Sequence, residues 1–303
     1  MKKPSIKKIS LRPTRRKLQM QTAATIATNP FARFNPNTTR WDPNNALALA
    51  YASQLAYSDA ATISAQLQAW GFDPARFTFL NKSDTQGFVT ATDEMVLVSF
   101  RGTQSNDIWD WMTDARIALR PYQPGLVHIG FYNALNDVWH EMNAAINAGR
   151  DHGQSLWVTG HSLGAALAGL AVSRMIFEEQ TPTNGLYTFG HPRMGNFVFG
   201  NGYDTEFMAK TFRYVNDQDI VTRIPPRTLG YAHVGQLLFF DQNGRLQNDD
   251  HFWNRFLTEI KVGIEGLKKP AGIVEDHAIQ RYIDNLQKYL DDLAAGKQNP
   301  LTW

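Results

Sequence analysis

The chain has 303 residues, 43% apolar and 19% charged, enough to bury a sizeable core in one large domain or two small ones. It has no cysteine, which excludes disulfides, zinc–thiolate sites and a cysteine nucleophile. No apolar run approaches the roughly 20 residues that span a bilayer.

The net charge of +2 conceals an asymmetry. Residues 1–41 hold ten Lys/Arg and no acid, which leaves twenty basic residues against all 28 acidic ones in the remainder. The stretch MKKPSIKKISLRPTRRKLQM reads as the start of a solvated, disordered basic leader over residues 1–40. Its functional readings are weak attraction to an anionic membrane surface or to nucleic acid, or targeting. A nucleic-acid partner rests on this leader alone and is not expected. QTAATIATNPF is too polar and too short for the apolar region of a secretory signal. Arg15-Arg16 resembles a twin-arginine pair, but the same apolar region is missing. The Arg-rich, acid-free composition is closer to an organelle transit peptide. The expected location is therefore cytoplasmic or membrane-peripheral, with organelle targeting left open.

A single folded domain is expected over 41–303, starting near Trp41. Asp42-Pro43 has the form of a helix start, a capping side chain followed by proline in the first turn, and NNALALAYASQLAY continues as a helix. Asp59 caps a second helix that ends near Gly71. FTFL and GFVTA read as short strands. EMVLVSF (94–100) is a stronger one, apolar nearly throughout and so buried on both faces. Over 131–149, Leu135, Val138, Trp139, Met142 and Ile146 fall on one helical stripe that stops at Gly149. SLWVT (155–159), GLYTFG (185–190) and TFRYV (211–215) are further strands. YAHVGQLLFF with Asn243-Gly244 suggests a late hairpin. Helices near 250–262 and 276–293 close the chain, with GLKKPAG as the loop between them. Strands alternating with helices predict an α/β fold with a largely parallel sheet covered on both faces.

Between the strand at 155–159 and the helix that follows lies Gly160-His161-Ser162-Leu163-Gly164, a G-x-S-x-G pentapeptide in strand–turn–helix context. That is the setting of a nucleophile elbow: the serine sits in a strained turn with its hydroxyl above the carboxyl end of the sheet, and side chains at the flanking positions would collide with strand and helix. The competing reading is a glycine-rich helix start capped by Ser162. A serine hydroxyl needs a base, and the usual order in such a fold is Ser, acid, His. His233, His251 and His277 follow in a workable order, and His191 precedes the best acids. His233 lies within an apparent strand and suits a structural role. His251 follows Asp249-Asp250 at a helix start and suits capping or the surface. His277 begins the last helix after a flexible loop. VNDQDIV offers Asp217 and Asp219 as acids, and position does not choose between them. An oxyanion needs two backbone N–H donors. Leu163, the residue after the serine, can supply one. The loop SFRGTQ (99–104), turning at Gly102, can supply the other.

The motifs VSFRGT, VHIGFYNA, VTGHSLGAALA, TFGHPRMGN and VNDQDIVTRIPP occur in that order, with DHAIQRYI near the end. Together they resemble the class 3, fungal-type lipases of the α/β-hydrolase superfamily, over about residues 85 to 285. The family includes triacylglycerol lipases, plant phospholipases and feruloyl esterases. The resemblance implies an α/β-hydrolase fold with a short lid helix and a serine ester hydrolase acting on lipid esters. Phospholipase A1, galactolipase or short-chain esterase action are the alternatives within that chemistry, and a catalytically silent binding protein is the alternative outside it. It makes Ser162 the nucleophile. It favours Asp219 in the pattern N-x-x-D-x-V, and His277 in a D-H motif ahead of the aromatic Tyr282. It assigns the oxyanion donors to Thr103 and Leu163 and gives His128 a supporting place near the elbow. No metal or cofactor is implied. SNDIWDWMTD (105–114) matches a lid segment, where Trp109 and Trp111 either meet lipid or pack on the body, and a transient contact with a membrane or lipid droplet follows. Thr222 stands where the family often has proline, a departure that concerns loop rigidity. The oligomeric state is not implied.

Overall fold

The computed structural model of the protein describes residues 29–102, 118–217, 219–248 and 276–301. The leader up to residue 28, Thr103, the 105–114 segment, His251 and the helix expected near 250–262 lie outside the described residues.

The main sheet runs in the order β1-β2-β3-β6-β7-β9-β11-β12. Its centre is formed by β3 (Met95–Phe100), β6 (Ser155–His161), β7 (Gly185–Phe189), β9 (Thr211–Asn216) and β11 (Gln236–Phe240), all parallel. β1 (Thr78–Lys82) and β2 (Thr85–Ala91) extend one edge antiparallel, and β12 (Leu246–Gln247) closes the other. The apolar runs explain the burial. On β3, Val96, Val98 and Phe100 face one core while Met95 and Leu97 face another, and on β6 Leu156 and Val158 oppose Trp157. Each large side chain so buried stabilises by about 1.5–3 kcal/mol relative to exposure.

The first core is covered by α3 (Ile129–Gly149) and α4 (Leu163–Phe177), the second by α1 (Pro43–Leu55) and α6 (Ile279–Ala294), with α2 (Ala60–Ala69) beside α1. The apolar stripe predicted over 131–149 is the buried face of α3. α1 is rich in alanine and lies close enough to the sheet for direct polar ties. Ser53 Oγ and Thr159 Oγ1 are 2.9 Å apart, and Ser99 Oγ donates to the Ala52 carbonyl at 3.1 Å. Asp42 caps α1 and Asp59 caps α2, as the sequence predicts, each cap contributing about 1 kcal/mol.

Three features depart from the sequence reading. Residues 29–40 do not belong with the leader. Phe31, on a 3-10 turn at Pro30–Arg33, and Phe34, just after it, pack against Trp70, Phe72 and Trp157, and Asn35 exchanges hydrogen bonds with Asn45. YAHVGQLLFF is not one strand. Gly235, at φ +73°, turns the chain so that β10 (Tyr231–Ala232) joins a different sheet from β11. That sheet, in the order β10-β8-β5-β4, contains β4 (Leu119–Tyr122), β5 (Gly125–His128) and β8 (Gly195–Asn196), none foreseen. It is held by side chains as much as by its short ladders: Asn196 Oδ1 accepts from Leu126 N at 3.0 Å and from Phe199 N at 2.9 Å, the latter capping α5 (Phe197–Phe207).

Candidate active site

The G-x-S-x-G pentapeptide lies where β6 ends and α4 begins. Ser162 has φ +59° and ψ −130°, a conformation costly for a residue with a side chain. The turn fits only because its neighbours are glycines. A Cβ on Gly160 would collide with the Gly164 carbonyl oxygen, and one on Gly164 would collide with that of Phe100. The Ser162 hydroxyl makes no cap hydrogen bond to α4, which removes the helix-cap reading of this residue. Ser162 N donates instead to Phe189 O at 2.9 Å and fixes the elbow to the end of β7. Leu163 is the first residue of α4, so its N–H has no partner within the helix.

The neighbouring parallel strands bring up the other groups. Asp219 follows β9 and is fully buried. His277 precedes α6, 58 residues further on, and its Nδ1 lies 2.9 Å from Asp219 Oδ2 and 3.0 Å from Oδ1. The carboxylate also accepts from Tyr282 Oη at 2.5 Å and from Val221 N at 2.9 Å. Burial alone would raise the Asp219 pKa, but the adjacent imidazole and the hydrogen bonds from His277 and Tyr282 outweigh it and hold it below the ordinary value. The carboxylate claims Nδ1–H and so leaves the lone pair on His277 Nε2, a buried nitrogen without a hydrogen-bond partner among the described residues. Gly190, next to the Phe189 carbonyl that holds Ser162, has Asp219 Oδ2 at 2.8 Å and the His277 ring at 2.8–2.9 Å from where a Cβ would stand. The serine turn and the Asp–His pair therefore meet at one point of the sheet's carboxyl edge.

The surroundings hold the pair rigidly. Asn216, the last residue of β9, donates from Nδ2 to the Asp276 carbonyl at 2.8 Å and accepts from Asn285 Nδ2 at 3.0 Å. Thr222 Oγ1 donates to the Asp219 carbonyl at 2.8 Å, a tie that a proline there would lack. Arg193 reaches the carbonyls of Arg223 and Pro225, and its N–H donates to the Ile224 carbonyl at 2.7 Å. Burial and the nearby Arg213 bring its pKa down to about 9.

The other candidates fall elsewhere. Asp217 presents its carbonyl to Arg223 at 3.2 Å, and it is the carboxylate of Asp219 that meets a histidine. His191 is buried against Thr188 Oγ1, its pKa depressed by burial to about 3, and burial also holds His233 well below its usual range. His128 supports the fold differently from expectation: its Nδ1 accepts from Gly130 N and Phe131 N, which caps α3, and its ring stacks on Phe131 at 4.3 Å. Sequence reasoning used Asn216 only as a motif marker and missed its hydrogen-bond role. A polar amide closing a buried strand was the signal available. Tyr57, whose hydroxyl lies 2.8 Å from His161 Nδ1, gave no sequence signal.

A parallel sheet with a strained serine elbow beside a buried Asp–His pair defines an α/β-hydrolase. The lipase (class 3) family model matches residues 97–229. A secreted mono- and diacylglycerol lipase of Fusarium solani is 33% identical over 184 residues, 58% of this chain and 52% of the relative. A lipase of Caenorhabditis elegans is 29% identical over 213 residues, 64% of this chain and 59% of the relative. The chain spans about half the length of the curated relatives it matches. Among solved structures, a triacylglycerol lipase whose catalytic centre is a serine protease triad superposes with TM-score 0.55 at 26% identity, over 67% of this chain and 82% of that one. A Rhizomucor miehei lipase in complex with its propeptide gives 0.54 at 27%, over 67% and 70%. The chain is similar to class 3 lipases over the stretch that carries the elbow serine and Asp219.

Proposed function

We propose that the protein is a serine ester hydrolase that cleaves lipid esters through an acyl-enzyme. The observation that carries this is the convergence of the Ser162 elbow with a buried Asp219–His277 pair whose Nε2 is free to take a proton. His277 Nε2 accepts the Ser162 proton as Oγ attacks the ester carbonyl. Asp219 fixes the imidazole tautomer and stabilises the imidazolium. The N–H groups of Leu163 and Thr103 hold the oxyanion. His277 then protonates the leaving alcohol, and a water that it activates releases the acid. Lipid esters are the substrate class because the similar curated proteins are lipases. A transient lipid-surface contact belongs to the same reading. The exposed Phe197, Val198 and Leu229 support it, set side by side by the Phe197 N–H bond to the Gly230 carbonyl at 3.2 Å.

The test is labelling with a p-nitrophenyl alkylphosphonate, which traps an activated serine as a stable ester. One equivalent of p-nitrophenol and a mass shift confined to the peptide that carries Ser162 are expected. Labelling elsewhere, or none, contradicts the proposal.

A further inference from the structure

A second buried hydrogen-bonded chain passes behind Ser162 and links the two sides of the elbow. It begins at Tyr57, two residues after α1. The Tyr57 hydroxyl lies 2.8 Å from His161 Nδ1, and His161 Nε2 lies 2.6 Å from the backbone carbonyl of His277. A carbonyl only accepts, so Nε2 carries the proton and Nδ1 accepts from the Tyr57 O–H. The Tyr57 oxygen in turn accepts from the Gly102 N–H. Gly102 presses so closely on the nucleophile that a Cβ there would stand 2.9 Å from Ser162 Cβ. The His161 ring also lies against the His277 ring, with centroids 4.6 Å apart. His161 is 4% exposed, and burial first, then the neighbouring His277, holds its pKa down to about 3.

We propose that Tyr57 and His161 are positioning residues that lock the backbone of the Gly102 loop to the backbone of His277 across the nucleophile. The proposal rests on the ester-hydrolase reading and assigns it two further residues. Asp219 sets the His277 ring from its Nδ1 edge, and His161 sets the same residue from its carbonyl. Two anchors on one residue fix the direction in which Nε2 faces. Tyr57 keeps His161 in one tautomer, because its O–H fills Nδ1, and takes up the Gly102 N–H one residue before Thr103. Without the phenol oxygen, His161 can place its proton on Nδ1. The Nε2 lone pair then opposes the His277 carbonyl, and both anchors loosen together. Displacements of about 1 Å in a reacting group cost on the order of a hundredfold in rate.

The experiment uses the full chain with Tyr57→Phe, His161→Leu and His161→Gln. Turnover of the soluble ester p-nitrophenyl butyrate is expressed per active site, counted by phosphonate titration. The expectation for Tyr57→Phe is about a tenfold fall in kcat with KM within twofold, and for His161→Leu about a hundredfold. His161→Gln carries both a donor and an acceptor and is expected to recover most of the loss. Imidazole 15N chemical shifts are expected to show His161 as the Nε2–H tautomer in the wild type and a mixture in Tyr57→Phe. A purely structural role lowers the melting temperature and the number of active sites but leaves kcat per site unchanged, and that result overturns the proposal. So does an Nδ1–H tautomer in the wild type. A wild type inert to ester and phosphonate alike instead removes the hydrolase reading on which the proposal stands, and the two failures are thereby told apart.

Discussion

Ser162 and the Asp219–His277 pair reach the same point of the sheet by different means. The serine is aimed by backbone alone. Strand, turn and helix are contiguous, φ is +59°, and two glycines leave no room for a Cβ. The pair is assembled from segments 58 residues apart and held by side chains: Tyr282 and Val221 on the carboxylate, and Asn216 on the carbonyl before His277. A backbone device tolerates almost no substitution, whereas a side-chain network weakens one bond at a time. The first should fail as a fold and the second should fail by degrees.

The largest expected effect is on the backbone side. Gly160→Ala and Gly164→Ala place a Cβ on a carbonyl oxygen that belongs to a buried strand or helix and cannot move aside. A loss of about 3 kcal/mol or more is expected, seen as low soluble yield or a melting temperature lowered by about 10 °C. A variant that melts with the wild type would show the elbow to be looser than described. On the network side, Asp219→Asn should lower kcat by about 10³–10⁴-fold with the protein still folded, because the amide favours the wrong imidazole tautomer. Asp217→Asn should stay within twofold. Equal effects at the two positions would contradict the choice of acid.

Acid should separate the two sides by pH window. His161, inside the elbow pentapeptide, has its pKa depressed by burial to about 3, below an unfolded value near 6.5. Its contribution is therefore complete above pH 6.5 and is lost as pH falls toward 3. Asp219 is also held below its ordinary value, so its contribution is complete above about pH 4 and is lost only below that. Between pH 6.5 and 4.5 the wild type should lose about 2 kcal/mol through His161, read as a falling urea midpoint. His128 and His191, depressed to about 4 and about 3, add slopes of the same sign. His161→Gln should flatten the profile in this window and Asp219→Asn only below it. A profile that His161→Gln leaves unchanged would contradict the buried neutral imidazole.

A smaller loss than that of Asp219→Asn is expected for Tyr282→Phe. It removes one of the carboxylate's donors and keeps the ring, so a kcat loss of about five- to tenfold and a stability loss of about 1 kcal/mol are expected. An unchanged kcat would show that the His277 and Val221 bonds suffice to hold Asp219.

The same contrast governs what the sequence reveals. The elbow is local, so five residues between an apolar strand and a small-residue helix display it without any fold in hand. The central strands are legible for a related reason: each is a short apolar run buried on both faces. The Asp–His pair is not local. Residue order alone left Asp217 beside Asp219 and four histidines downstream of Ser162, and only the resemblance to a family of known site pattern singled out one of each. Hydrogen bonds across 58 residues leave no periodicity to read. The small antiparallel sheet was illegible for a third reason. Its strands are two to four residues long, and its second strand is tied to its neighbour by the side chain of Asn196, a polar residue that sequence patterns assign to loops. Phe31 and Phe34 were lost to the leader because a basic, proline-interrupted stretch masks two aromatic side chains that dock on Trp70 and Trp157.

The most direct test of the central claim is hydrolysis of p-nitrophenyl esters from short to long acyl chains by the wild type beside Ser162→Ala. Turnover by the wild type is expected, collapsing in the variant to the level of the uncatalysed reaction, with both proteins melting alike. A wild type inert on every ester and on emulsified lipid, or a Ser162→Ala variant that keeps its activity, would contradict it.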